Sequence, residues 1–306
     1  MQPTSLDVIE NMRKTKVELN CWLEKEAAIW KQRSRVDWFR EGDRNTSFFH
    51  AKASSRFQKN LIEGILDSND VWQEEEAKIE KVFVEYYSEL FSSANPTNFD
   101  EILEAVQPKV SRHMNEQLIK EFQPSEVFQA LKQMYPLKAL GPNGMPPLFY
   151  QHFWPTIGNV VTKIVLDFLN FGVIPHNFNE TQIVLIPKVN RPQRVTKYRP
   201  ISLCNVVYKM AAKTLANRLK KILPAIISDT QSAFVNSRVI TDNILVAFET
   251  MHHISRSKTG QKGEMALKLD MSKAYDRVEW VCLYRIMEKL GFHPRWRNLM
   301  MQCVSM

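Results

Sequence analysis

The stretch ALKLDMSKAYDRVEW, residues 266–280, constrains this chain more than any other. Ala266, Leu267 and Leu269 make a short apolar run that reads as a strand from Met265 to Asp270. The pattern then turns helical, with Val278, Val281, Tyr284, Met287 and Leu290 on one face and Gly291 at its end. A strand that ends in a carboxylate and leads into a helix is a common way to present a metal ligand. Two readings of Asp270 stand side by side. It is half of a Mg²⁺ site, since that ion takes hard oxygen ligands from one or two carboxylates, or it is a helix N-cap.

Charge separates the rest of the chain into blocks. Of 306 residues, the first 60 carry a net +4, residues 61–137 carry −9, residues 138–263 carry +11 and residues 264–306 carry +2. A basic block of that size suits a polyanionic partner or a solvated surface. Cys21, Cys204, Cys282 and Cys303 are too scattered for a zinc or redox pair, so they read as idle thiols in a reducing compartment. No signal-peptide pattern opens the chain. The most apolar run, VVTKIVLDFLNFGVI, is interrupted by Lys163 and Asp167, which excludes a membrane span there. These features predict an intracellular protein without a membrane partner.

Residues 5 to about 40 read as a helix with a narrow apolar stripe that includes Leu6, Ile9, Val17, Trp22, Leu23 and Trp30. After it, basic residues interleave with Trp38, Phe39, Phe48, Phe49 and Phe57, a pattern that suits either base stacking or packing. LIEGILDSNDVW predicts a hairpin, and Ile79 to Phe91 predict an amphipathic helix. LKALGPNGMPPLFYQHFW, residues 137–154, is a Gly/Pro loop with an aromatic cluster. A helix through Ile157, Val160, Val161, Ile164, Val165, Phe168 and Leu169 should stop at Gly172. TQIVLIPK predicts a strand, and Val206 to Leu223 a helix ended by Pro224. A further helix runs through ILVAFETMHHI, where the adjacent His252 and His253 face different sides and make a poor metal pair.

Taken in order, these segments resemble the reverse transcriptase region of LINE-type (non-LTR) retrotransposons, particularly the plant lineages. VDWFREGDRNTSFFHAKASSR resembles their segment between endonuclease and polymerase. LKALGPNGMPPLFYQHFW, TQIVLIPKV, YRPISLCNVVYKMAAKTLANRLKKILP, IISDTQSAFVNSRVITDNILVAFE and ALKLDMSKAYDRVEW resemble successive polymerase motifs. The resemblance implies a helix-rich α+β fold: the fingers and the beginning of the palm of a right-hand polymerase, with the palm incomplete and no thumb. It divides the chain into an endonuclease-to-polymerase linker (1–60), an acidic hairpin-plus-helices segment (61–137), a basic fingers region (138–263) and the start of the palm (264–306).

The resemblance also implies roles. Asp270 and the backbone carbonyl of Met271 match metal ligands for Mg²⁺, Asp270 being the first catalytic aspartate. Tyr275 matches the ring under the incoming sugar, Lys188 and Arg199 the cations on the triphosphate, and Arg238 an arginine near the template. Asp276 reads as structural. The implied partners are an RNA template, a DNA primer and dNTPs, and the implied location is the nucleus. The chain departs from the family at Leu140 and Asn143, where Pro and Asp are usual, and at Asn236 and Ser237, where Pro-Gly is usual. The family's Tyr-x-Asp-Asp turn is missing, since no Asp-Asp pair occurs in the sequence.

The expectation is therefore an RNA-directed DNA polymerase by family, truncated and inactive as this chain, with a non-enzymatic nucleic-acid-binding protein as the alternative. Its first palm strand should lie unpaired, and the last forty or so residues should pack less well than the fingers.

Overall fold

The computed structural model describes residues 6–34, 46–256 and 264–305. In chain order, α1 (Leu6–Ser34) and α2 (Thr46–Asn60) come first. A hairpin of β1 (Ile65–Leu66) and β2 (Trp72–Gln73) follows, then α3 (Glu76–Phe91), α4 (Asp100–Glu104), α5 (Arg112–Ile119) and α6 (Pro124–Lys132). Next are α7 (Pro147–His152), α8 (Trp154–Phe171), β3 (Thr181–Pro187) and β4 (Tyr198–Cys204). The last helices are α9 (Val206–Ile226), α10 (Ile240–Arg256), α11 (Trp280–Lys289) and α12 (Pro294–Val304). The fold is helix-rich α+β, and its sheets are the two-stranded pairs β1–β2 and β3–β4.

The chain forms two compact units, Met1–Tyr86 with Ile183–Ile201, and Tyr87–Gln182 with Ser202–Met306. In the first unit α1 packs along α2, burying Phe49. Trp38 and Phe39, and the side chains of Leu6 and Ile9, lie outside the described residues. The expected hairpin is present, with Ile65 opposite Gln73 and Leu66 opposite Trp72. Its turn is organised by the Asp67 carboxylate, which accepts from the Asn69 and Val71 N–H groups at 2.8 and 3.0 Å and from Gln73 at 2.8 Å. Short polar side chains that bond forward to the backbone favour such turns. The loop between β3 and β4 joins this hairpin: the Leu66 N–H donates to the Gln193 carbonyl at 2.8 Å, and Arg194 pairs with Asp70 at 2.8 Å. Tyr198 is buried edge-on to Phe83, with ring centroids 5.2 Å apart.

The second unit holds the large core. Helix α8 contributes Val161, Val165, Phe168 and Leu169 at three- and four-residue spacing, while Val160 on the other side is exposed. The helix ends where expected. Gly172 takes φ +72°, and its N–H donates to the Phe168 carbonyl at 2.8 Å. Helix α9 buries Val206, Met210, Ala211, Leu215, Ile222 and Ile226 against this face. It runs through Pro224 instead of stopping there, a correction to the expected boundary. Proline removes one backbone donor near the end of the helix, and burial of both Ile222 and Ile226 outweighs that loss.

The expectation of a loosely packed C-terminal stretch holds only for its first part. Trp296, Leu299 and Cys303 of α12 lie in the core with Met287 of α11 and Phe292. Polar bonds fix these helices to α5 and α8. Asn115 donates to the Gly291 carbonyl at 2.7 Å and accepts from the His293 N–H at 2.8 Å, and Arg295 reaches the Asn170 carbonyl at 3.0 Å. The N–H groups of Lys109 and Val110 both donate to the Leu290 carbonyl, at 3.1 and 2.9 Å. The reason for the difference is local: α11 and α12 find their partners among helices that precede them in the chain.

Candidate functional site

The segment that carries Asp270 is not a strand. Residues 264–271 form no regular element, and Met265, Leu267 and Leu269 are 86%, 75% and 81% exposed. A short, partly apolar run becomes a strand only when a neighbour supplies backbone partners. Among the described residues the paired strands are β1–β2 and β3–β4, and neither pair takes it in. The chain then turns through Lys273 at φ +55° into a 3-10 turn over Tyr275–Arg277, and α11 begins only at Trp280. Val278 and Val281, expected on the buried helical face, are exposed. Glu279, just before α11, accepts from Ser93 Oγ at 2.6 Å.

Asp270 is exposed on this bare segment, and the described residues contain no group of three His, Cys, Asp or Glu side chains able to hold a metal. A Mg²⁺ site of the two-metal kind needs carboxylates converging from more than one element. One exposed carboxylate beside the Met271 carbonyl does not meet that requirement, so the residues present do not fit the ion.

The structure does bring Tyr275 close to the QSAF segment. Its ring, 75% exposed, lies edge-on to Phe234 with centroids 6.1 Å apart. Phe234 has φ +64° and Ser237 has φ +64°, so this loop uses the left-handed region twice. Ser237 is the position where the resembled family usually has Gly. The backbone there does demand positive φ, and a residue with a Cβ pays a strain of about 1 kcal/mol for it.

Arg238 behaves differently from expectation. Its guanidinium donates to the carbonyls of Gln231 at 2.7 Å, Ile227 at 3.2 Å and Pro224 at 3.3 Å, to the Ser228 carbonyl, and to Asp229 Oδ1 at 3.0 Å. The side chain is only 15% exposed. It clasps the turn after α9 and so fixes the loop that carries Phe234, with its donors committed to protein oxygens. Lys188 and Arg199 lie on the β3–β4 hairpin in the first unit, whereas Asp270, Tyr275 and Arg238 belong to the second. Lys188 Nζ donates to the Thr196 carbonyl at 2.9 Å, and Arg199 is exposed on β4.

The Gly/Pro loop before α7 is stitched to the start of α9. A Cβ on Gly141 would lie 2.5 Å from the Cys204 carbonyl oxygen and 2.7 Å from the Asn205 nitrogen, so only glycine fits this approach. The Asn143 N–H donates to Asn205 Oδ1 at 3.2 Å, and its side chain donates to the Tyr150 hydroxyl at 3.2 Å. Asn143 thus serves the loop internally where Asp is usual in the resembled family. Lys209 Nζ reaches the Ala139 carbonyl at 3.2 Å. Burial lowers its pKa, with Lys138 adding to the effect and Cys204 opposing it. Lys213 is lowered for the same reason, burial first, then the charges of Lys220 and Lys138. Lys138 is thus felt by both Lys209 and Lys213, and Lys220 by Lys213.

Sequence reasoning missed Arg218. It is buried, pairs with Glu126 through Nε and Nη2 at 2.8 and 2.7 Å, and donates to the carbonyls of Leu118, Lys120 and Glu121. It also lies over the Phe122 ring at 3.5 Å. Burial raises the Glu126 pKa, but the Arg218 hydrogen bond, the Gln123 N–H and nearby cations outweigh it and hold the carboxyl below its ordinary value. A signal existed: Arg218 sits in register with Ala211, Leu215 and Ile222, on the face that becomes core.

These features define a helix-rich α+β protein with a tightly built loop-to-helix junction and an acid on a bare segment. Residues 186–306 match the family "Reverse transcriptase (RNA-dependent DNA polymerase)". The chain is 29% identical over 266 residues, 86% of its length, to the "Transposon TX1 uncharacterized 149 kDa protein" of Xenopus laevis. It is 25% identical over 163 residues, 53% of its length, to the "Retrovirus-related Pol polyprotein from type-1 retrotransposable element R2" of Nasonia vitripennis. It is also 25% identical over 155 residues, 49% of its length, to the type-2 R2DM polyprotein of Drosophila melanogaster. The chain spans 20%, 15% and 14% of those relatives. The chain is thus similar over residues 186–306 to reverse transcriptases, and over longer stretches to transposon and retrotransposon proteins. No helix among the described residues is long and apolar enough to cross a membrane.

Proposed function

We propose that this chain is the fingers region and the first stretch of the palm of an RNA-directed DNA polymerase, and that it acts only within a longer polypeptide. The segments 1–60, 61–137, 138–263 and 264–306 then serve as linker, acidic support, basic fingers and palm entry. Lys188 and Arg199 would meet the triphosphate of a dNTP, and Tyr275 would lie under its sugar. The net +11 of residues 138–263 supports contact with a phosphate backbone, here an RNA template paired to a DNA primer. Arg238 acts on the template only through the loop it clasps. Reverse transcription of an element that inserts into chromosomes places the work in the nucleus.

The observation that carries the reading is Asp270. It is an acid within the matched residues 186–306, yet it stands exposed between apolar residues that face solvent, without converging carboxylates among the described residues. A site so open lacks the preorganisation that nucleotidyl transfer requires. The chain alone is therefore expected to be inactive. The test is primer extension on an RNA template with a DNA primer, dNTPs and Mg²⁺, comparing the chain with Asp270→Ala. No product from either is the expected result. Product from the natural sequence that disappears in Asp270→Ala would overturn the inactive reading and show that other acids complete the site.

A further inference from the structure

The first unit contains a cleft that the polymerase reading does not use. It lies between α1 and α2, has a volume of about 720 Å³, and is lined by Trp30, Arg33, Arg56, Phe57, Gln58 and Asn60 among others. Trp30 is sandwiched on one side by His50, with ring centroids 3.6 Å apart, and Arg33 lies 5.3 Å from the Trp30 ring centre. Phe57 is 70% exposed at the rim. The C-terminal end of α1 and all of α2 are basic. Residues 27–34 and 46–60 carry Lys31, Arg33, Lys52, Arg56 and Lys59 and no Asp or Glu. The acids of α1, the nearest of them Glu24 and Glu26, precede this stretch, and further acids lie at Glu76, Glu80 and Glu85 on α3.

This combination selects among ligands. An acidic peptide would satisfy the cations but leave the rings without flat partners. A duplex keeps its bases stacked on each other and offers the rings only phosphates. A single strand supplies both an unstacked base for a ring face and phosphates for guanidinium groups. Side-chain amides at Gln58 and Asn60 add donors and acceptors for a base edge. We propose that the α1–α2 cleft is a separate site for single-stranded nucleic acid, in which a base stacks on Phe57 and the flanking phosphates are held by Arg33 and Arg56. The site lies outside residues 186–306, and it does not depend on whether this chain synthesises DNA.

The test is fluorescence anisotropy of the full chain with labelled U20, dT20 and a 20-base-pair duplex across a salt series, always with Lys188→Ala/Arg199→Ala as a control for the hairpin cations. Phe57→Ala removes an exposed ring and leaves the core intact. It should weaken binding of the single strand roughly tenfold, with little effect on the duplex. Arg33→Gln and Arg56→Gln should each lower the slope of log affinity against log salt by about 0.7 on single strands. Tighter binding of U20 than dT20 would assign the site to RNA, the reverse to DNA, and either supports the proposal. Unchanged single-strand affinity in both Phe57→Ala and Arg56→Gln would overturn it. So would equal losses on single strands and duplex, which would mark a simple basic surface.

Discussion

Helices α10 and α12 belong to the same unit, are both amphipathic, and meet opposite fates. Trp296 of α12 is 1% exposed and rests among Leu118-, Phe168- and Met210-bearing helices. α10 buries none of its residues, and Ile244, Leu245, Phe248 and Met251 all face solvent. The exposed run from Met265 to Met271 continues that open surface in the chain. An apolar face is a requirement for burial and never a guarantee of it. α12 is matched by α5 and α8, with Asn115 and Arg295 setting its position, whereas α10 meets no complementary face among the described residues.

The sharpest way to break this comparison is to truncate one large side chain on each helix. Trp296→Ala should cost about 3–5 kcal/mol in urea unfolding, because it leaves a cavity in a filled core. Phe248→Ala should stay within about 0.5 kcal/mol, as surface changes do. Equal losses would mean that α10 is buried in solution.

The Arg218–Glu126 pair extends the contrast to polar groups, since both cluster donors and acceptors are satisfied inside the packed half of the unit. Arg218→Ala should cost about 3 kcal/mol, because it strips a half-buried carboxylate and three carbonyls of their donor. The pH dependence has a fixed sign. The Glu126 pKa is lower in the folded state than its ordinary 4.5, so the pair contributes fully above that value and is lost as the pH falls below it. The acid limb of the stability curve should therefore flatten in Arg218→Ala. An unchanged acid limb would place the acid sensitivity elsewhere.

The smallest expected effect concerns the loop that Arg238 clasps. Ser237→Gly should raise stability by about 0.5–1 kcal/mol, since glycine adopts φ +64° without the Cβ penalty. A loss in differential scanning calorimetry would show that the serine side chain contributes something the strain argument omits.

Part of this was legible from residues alone. The stop of α8 at Gly172, the 61–73 hairpin and the amphipathic α9 follow from local rules: a left-handed cap, a turn-forming Asp67, and spacing of three and four. Of the site, the sequence marked Asp270, Tyr275, Lys188, Arg199 and Arg238. It did not reveal that Arg238 spends its donors on carbonyls, that Phe234 meets Tyr275, or that Gly141 lets the loop touch Cys204. The last two are contacts between segments far apart in the chain, and the first depends on how the turn after α9 folds back, so no local pattern encodes them.

What the sequence determined by itself is most of the element types, the similarity of its last 121 residues to reverse transcriptases and the identity of the acid at 270. Periodicity, turn chemistry and motif order are properties of neighbours along the chain. Only the tertiary structure decided that Met265–Asp270 forms no strand, that α10 stays bare and that α12 is buried. A strand and a buried face each need a partner of the right shape, and whether one arrives depends on every other element.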